Sequence, residues 1–331
     1  DREDVTYIKC DNEDDLLRRF LSFWETNMPD VLTGWNTRFF DLPYLINRIK
    51  VRLGEDEIKR LSPWKAVFND NVYKMGRNHT AFDIIGVSQL DYLELYQKYT
   101  YSAQESYTLD HIGFVELGKQ KDKNPYETFR DWYTKDYQSF IDYNIMDVEL
   151  VDALEDKMKL IDLHITMAYF AKCNYNDVFS QVKMWDIIMY NFLRKKNIQI
   201  PMLHKQEKSE AYAGAYVKDP QVGLHKWVVS FDLNSLYPHL MMQYNISPET
   251  IVGMSETHPG VDNMLSKSYD TSSIKDVNQT ITPNGALFSR DKHGFLPELM
   301  HKMYSDRSAT KKQMLQASQQ YESTGDVKYK N

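Results

Sequence analysis

The run Trp227-Val228-Val229-Ser230-Phe231 and the residues after it limit the possible folds more than any other stretch. A short apolar run of this kind reads as a buried strand. It ends in a single carboxylate, Asp232. A polar turn follows, and then the apolar segment from Leu236 to Met242, which predicts the start of a helix. A carboxylate fixed at the end of a core strand has little freedom to turn away. Backbone N–H groups of the turn behind it are free to point outward. Together they suit a divalent metal chelated by a triphosphate, the carboxylate holding the ion and the amides the phosphate oxygens. Taken alone, Asp232 is equally an ordinary turn residue capping Asn234 or Ser235, and that simpler account is preferred.

The 331 residues are enough for two or three domains with separate cores. A hydrophobic content of 42% with 13% aromatics marks a globular chain. The net charge of −7 disfavours nucleic acid as a partner only if charge is spread evenly, and it is not. Residues 1–30 hold nine acidic and four basic side chains, whereas 292–331 hold seven basic and four acidic ones. Two distant cysteines, Cys10 and Cys173, point to a reducing compartment rather than a disulfide framework. No apolar run reaches membrane-spanning length, and no signal peptide is visible. The chain starts Asp1-Arg2-Glu3 without Met and stops in polar, helix-like sequence, so both ends are expected to be cuts.

The longer string Asp232-Leu233-Asn234-Ser235-Leu236-Tyr237-Pro238, followed by Tyr244-Asn245-Ile246-Ser247-Pro248-Glu249-Thr250, resembles the first palm motif of family B DNA polymerases. The flavour is closest to the enzymes of T-even-like bacteriophages. The resemblance implies that Asp232 is one of two catalytic metal-binding aspartates and that the Leu233 carbonyl also meets a metal. The amides of Ser235 and Leu236 would meet the incoming triphosphate. Tyr237 would pack under the sugar and exclude a 2′-hydroxyl.

Earlier in the chain, Asn12 is expected to cap a helix from Glu13 to about Trp24, and Val31-Leu32-Thr33 to form a short strand. Asp41 to Ile49 reads as a helix with Asp41 at its N-cap and Pro43 in its first turn. Gly34-Trp35-Asn36-x₃-Phe40-Asp41 also resembles the second exonuclease motif of the same polymerases. By that likeness Asp41 binds a catalytic metal, Asn36 reaches a DNA phosphate and Phe40 stacks on a splayed base. Both roles are compatible, because a carboxylate has several lone-pair sites. Ile84 to Val87 and Leu90 predict a strand region, and Leu93-Glu94-Leu95-Tyr96 a helix. Asp91 is read as a cap rather than a catalytic acid. Lys119-Gln120-Lys121-Asp122-Lys123 is expected to be a solvated loop.

A helix is expected from about Lys135 to Lys159, putting Tyr143 and Asp147 one turn apart on one face. Two-metal hydrolysis of a phosphodiester needs a metal-holding carboxylate and a group that aims water, and these two residues suit those roles. The ordinary alternative is a polar helix face with Asp142, Glu149 and Asp152. Downstream of Gly-Trp-Asn, Tyr143-x₃-Asp147 resembles the third exonuclease motif, and the functional reading is preferred. Residues 160–203 read as apolar, helical packing, with Met167, Met184 and Met189 as core filler. Arg194-Lys195-Lys196 is expected near a helix C-terminus. Tyr212-Ala213-Gly214-Ala215 resembles the family's template-contacting element between exonuclease and polymerase, in which Tyr212 and Gly214 would meet DNA. Residues 253–291 read as a surface excursion containing the turn Thr282-Pro283-Asn284-Gly285. After Gly294-Phe295-Leu296-Pro297 a helix carries Arg307 and Lys311 on one face. By resemblance this is the start of the fingers, and both cations grip the incoming nucleotide's phosphates.

The fold class expected is α/β in the broad, α+β multidomain sense. An RNase H-like exonuclease domain at 1–159 is followed by a helical segment at 160–203. The first part of an antiparallel palm sheet at 204–293 and the first fingers helix at 294–331 complete the chain. The function implied by resemblance is part of a replicative DNA-directed DNA polymerase with 3′→5′ proofreading, working with two Mg²⁺ ions per site, or Mn²⁺. Its partners would be primer-template DNA, deoxynucleoside triphosphates, the missing C-terminal part of the polymerase and a sliding clamp, in a bacterial host cytoplasm. Two alternatives stand beside it: a non-catalytic DNA-binding half of a split polymerase, and a stand-alone exonuclease. The first exonuclease motif and the later fingers and palm motifs are absent. Each site is therefore expected to be half built.

Overall fold

The computed structural model describes residues 4–74, 76–121, 124–200, 217–256, 258–269 and 278–329. The chain forms two compact units, residues 1–191 and 192–331. Tyr212 and Gly214 lie outside the described residues.

The first unit opens with α1 (Glu13–Thr26). Asn12 caps it, its side-chain oxygen accepting from the Asp15 amide at 3.0 Å, and Glu13, Asp14 and Asp15 oppose the helix dipole. Leu17, Leu21 and Trp24 bury its inner stripe. β1 (Val31–Leu32) leads through a tight loop into α2 (Asp41–Leu53), whose inner face is Leu42, Ile46 and Ile49. A 3₁₀ segment (Glu55–Leu61) follows, then the antiparallel hairpin β2 (Val67–Lys74) and β3 (Arg77–Ile84). The expected strand through Val87 is interrupted after Ile84, because Gly86 turns at φ +93° before β4 (Ser88–Gln89) begins.

β1 and β4 pair in parallel, Val31 with Ser88 and Leu32 with Gln89. Successive side chains of a strand face opposite ways. Leu32 joins a core made by α1, α2 and β3, while Val31 joins a second core beyond it. That second core is built from α3 (Tyr92–Tyr99), α4 (Leu109–Leu117), α6 (Tyr137–Met158) and α7 (Leu160–Ala171). The helix expected from about Lys135 to Lys159 forms as α6; a short helix, α5 (Phe129–Lys135), precedes it, and Asp136 between them caps α6 through the Ser139 amide. The 160–191 stretch, through a 3₁₀ turn (Tyr175–Phe179) and most of α8 (Gln181–Lys195), belongs to this same unit. Arg194 and Lys195 sit in the last turn of α8, where cations suit the dipole.

The second unit contradicts the strand expected at Trp227–Phe231. These residues have no strand structure, and Trp227 is 97% and Phe231 92% exposed. A lone apolar run cannot stay extended in a sheet without a neighbour to take its N–H and C=O groups. Among the described residues no strand pairs with it. The expected helix does form, as α9 (Leu236–Tyr244). Residues 253–291 are more than surface excursion. β5 (Ile251–Met254) extends into them, α10 (Val261–Leu265) lies among them, and β6 (Gln279–Ile281) and β7 (Ala286–Ser289) complete an antiparallel sheet of order β5-β7-β6. The turn at 282–285 closes β6 on β7 with Gly285 N–H donating to the Thr282 carbonyl at 2.8 Å. The unit ends in the 30-residue helix α11 (Phe295–Thr324).

Candidate exonuclease centre and polymerase motif

Asn36 adopts a left-handed backbone, φ +63°, and closes a loop that turns the chain from β1 into α2. Gly34 is required there, because a Cβ on it would lie 2.4 Å from Thr37 Cγ2. The loop delivers Phe40, which is 66% exposed, and then Asp41. Asp41 is not the N-cap expected from the sequence. Phe40 holds that position without a side-chain cap, and Asp41 begins the helix proper. Its carboxylate is therefore not committed to capping. Although Asp41 is exposed as a residue, desolvation raises its pKa; a backbone hydrogen bond opposes this, and the neighbouring Asp147 charge adds to the rise.

Asp147 and Tyr143 lie on α6, one turn apart. Tyr143 packs on Trp132 of α5 with ring centroids 4.9 Å apart, and Trp132 is buried. Lys121 overturns the expectation of a solvated loop. Its ammonium stands 2.6 Å from Asp147 Oδ1 and 5.4 Å from the centre of the Tyr143 ring, with the side chain 16% exposed. The loop is held in place by Asp110, which accepts from the Lys121 amide at 2.7 Å. The contact with Asp147 is an ion pair off the hydrogen-bonding direction, so the buried Oδ1 has no hydrogen-bond donor. An electron-rich oxygen so placed, beside a second carboxylate, suits a hard divalent cation. No third acidic, histidine or cysteine residue joins them among the described residues.

Asp41 of α2 is thus close enough to Asp147 of α6 to feel its charge, and Tyr143 stands one helical turn before Asp147. Lys121 and Trp132 were missed. The lysine run upstream of Tyr143 was visible, but nothing in its spacing set Lys121 apart. Asp91 caps α3 as expected, accepting from the Leu93 amide, and also accepts from the Asn36 and Arg38 amides.

In the second unit Asp232 is exposed at the end of the unpaired run. Ser235, left-handed at φ +52°, precedes α9, and no side chain caps that helix. The first-turn amides of Leu236 and Tyr237 therefore lack a side-chain acceptor, and Tyr237 is 68% exposed. Asn234 donates to the Tyr304 hydroxyl on α11 at 3.2 Å, and His239 meets the Tyr304 ring edge-on at 4.8 Å. Tyr304, Arg307 and Lys311 follow one another at helical spacing along α11, so the cation stripe begins where Asn234 touches. Asn245 ties the sheet to α11, donating to the Ser289 and Lys292 carbonyls and accepting from Gly294 N–H. Glu249 then takes the Phe295 amide.

The first unit thus holds a carboxylate pair with a tyrosine one helical turn from Asp147, and the second a helix end without a side-chain cap and a stripe of cations on α11. The model of the exonuclease domain of DNA polymerase family B matches residues 1–112, and that of DNA polymerase family B matches residues 177–325. The DNA-directed DNA polymerase of Escherichia phage RB69 is 38% identical over 315 residues, covering 95% of this chain and 34% of its own length. That of Enterobacteria phage T4 is 35% identical over 311 residues, 94% of this chain and 34% of its own. The DNA polymerase delta catalytic subunit of Candida albicans is 29% identical over 315 residues, covering 90% of this chain and 29% of its own length. The chain belongs to DNA polymerase family B, holding exonuclease-domain sequence and the start of the polymerase domain. It spans about a third of the length of the phage relatives.

Proposed function

We propose that the chain supplies the main body of a 3′→5′ proofreading centre and the first part of the polymerising centre of a replicative DNA polymerase. The observation that supports it best is that Asp41 feels the charge of Asp147 across about a hundred residues of sequence, with Tyr143 one turn before Asp147. Asp41 and Asp147 would hold the divalent ions, two Mg²⁺ per site with Mn²⁺ as substitute. When bound, they neutralise phosphate charge and make water a stronger nucleophile. The Tyr143 hydroxyl aims that water. Asn36 donates to a phosphate of the 3′-terminal nucleotides, and the exposed Phe40 ring stacks on an unpaired base. In the second unit Asp232 and the Leu233 carbonyl are the metal-facing groups. The Ser235 and Leu236 amides, Arg307 and Lys311 take the triphosphate, and Tyr237 backs the sugar. Tyr212 and Gly214 are template contacts in this reading, and a sliding clamp and a bacterial cytoplasm are its setting. Among the described residues no helix is long and apolar enough to cross a membrane.

The exposed run ending in Asp232 favours a second reading for polymerisation: the palm needs a further segment to cover it before that site works. Primer extension and 3′-end trimming by the chain, alone and with the remaining polymerase segments supplied, test both readings. Extension only in the completed enzyme is expected. Trimming should fall about a hundredfold or more in Asp41→Ala. Trimming that survives this substitution rejects the exonuclease assignment.

A further inference from the structure

We propose that Asp91 is a positioning residue of the exonuclease centre, fixing the loop that presents Asn36 and feeds Asp41 into α2. The inference rests on the exonuclease reading above. Asp91 is 1% exposed, yet it spends its carboxylate on backbone that is distant in sequence. Oδ1 accepts from the Asn36 amide and the Leu93 amide, each at 3.0 Å. Oδ2 accepts from the Arg38 amide at 3.0 Å, with the Thr37 hydroxyl at 3.5 Å. A helix cap needs only the bond to Leu93. The other bonds hold a turn that has no regular ladder of its own.

The turn is one the chain would not keep unaided. Asn36 is left-handed, a conformation that costs a non-glycine residue about 1 kcal/mol or more. The same turn then passes the constraint forward. The Asn36 carbonyl accepts from the Phe40 amide at 3.1 Å, and the Thr37 carbonyl from the Leu42 amide at 2.9 Å. Those two amides flank Asp41. The carboxylate of Asp91 therefore reaches Asp41 through two backbone steps on either side of it. Its own base is firm: the Leu90 amide donates to Leu32 and the Tyr92 amide to Gly34, extending the β1–β4 ladder through Asp91. Thr33 adds a hydroxyl bond to the Leu90 carbonyl at 2.7 Å. Asp91 is thus a rivet between that ladder and the loop, and Asn36 and Asp41 hang from it.

Asp91→Ser separates the two roles, since serine is a good N-cap but too short to reach Asn36 and Arg38. Hydrogen exchange by mass spectrometry should show peptides spanning 34–44 exchanging about tenfold faster in Asp91→Ser, with those of α3 unchanged. Mn²⁺ affinity of the chain, read by electron paramagnetic resonance, should weaken about tenfold. Wild-type exchange over 34–44 overturns the proposal. So does faster exchange with unchanged Mn²⁺ affinity, which leaves Asp91 a tie for the loop with no bearing on the metal-facing carboxylates. Asp41→Ala with Mn²⁺ affinity unchanged rejects the exonuclease reading instead, a result the exchange data do not affect. If Asp91→Ser does not fold, Asp91→Asn carries the same test, because its amide presents a donor to backbone amides that need an acceptor.

Discussion

Lys121 carries a positive charge into the proposed exonuclease centre. Its ammonium lies against Asp147 in a setting only partly open to water, and Asp41 adds a second negative group nearby. Removing the cation leaves the two acids to repel each other. Lys121→Met should therefore destabilise the first unit by about 1–2 kcal/mol in metal-free buffer, within the range for a half-buried pair. Millimolar Mg²⁺ should restore most of that loss, because the ion supplies charge at the same carboxylates. Thermal melts with and without Mg²⁺ check both halves of the statement. His164 makes a second prediction. It is buried on α7, with Nδ1 against the Tyr99 hydroxyl and Nε2 against the Tyr175 carbonyl, each at 2.8 Å. Burial lowers its pKa below the ordinary 6.5. The sign follows: its contribution is complete above pH 6.5 and is lost as pH falls through the lower folded value. Melting temperature between about pH 8 and pH 5 should drop in the wild type and drop less in His164→Gln, which has no ring to charge.

Among the elements, α11 shows how strongly a helix end can be specified from outside. Gly294 precedes it with an unstrained backbone, but its missing Cβ matters: an added one would lie 2.6 Å from Ser247 Cβ. Gly294→Ala should cost about 1–3 kcal/mol by overpacking and loosen the Glu249 and Asn245 bonds that hold the helix start. Urea unfolding followed by circular dichroism measures it, and an unchanged midpoint would contradict the tight packing. Helices of this kind were legible in the sequence. Asn12 and apolar spacing announced α1, Asp41 and Pro43 announced α2, and the apolar segment from Leu236 announced α9. The helix ends were less so. The short helix α5 was not foreseen because seven residues carry too little apolar periodicity to read. Asp41 shifted by one position because the loop, pinned by Asp91, decides where α2 begins.

For the whole molecule, the sequence brought out short candidate motifs better than it brought out packing. Asp41, Tyr143 and Asp147 could be picked out because their motifs are local. Lys121 could not, because only the fold carries it back to α6. The run Trp227–Phe231 failed in the opposite way: its apolar residues spelled a strand, but strand structure depends on neighbours that no local pattern encodes. One feature of α6 has a bearing on how such a chain can change over time. The same helix presents Tyr143 and Asp147 to the site and, a few residues on, anchors Leu150 and Leu154 in the core. Each residue turns a helix by about 100°. A single insertion between Asp147 and Leu150 would keep every present side chain and still swing the acid away from its place relative to the core leucines. The spacing between the site face and the core face of α6 therefore constrains its length more tightly than its composition.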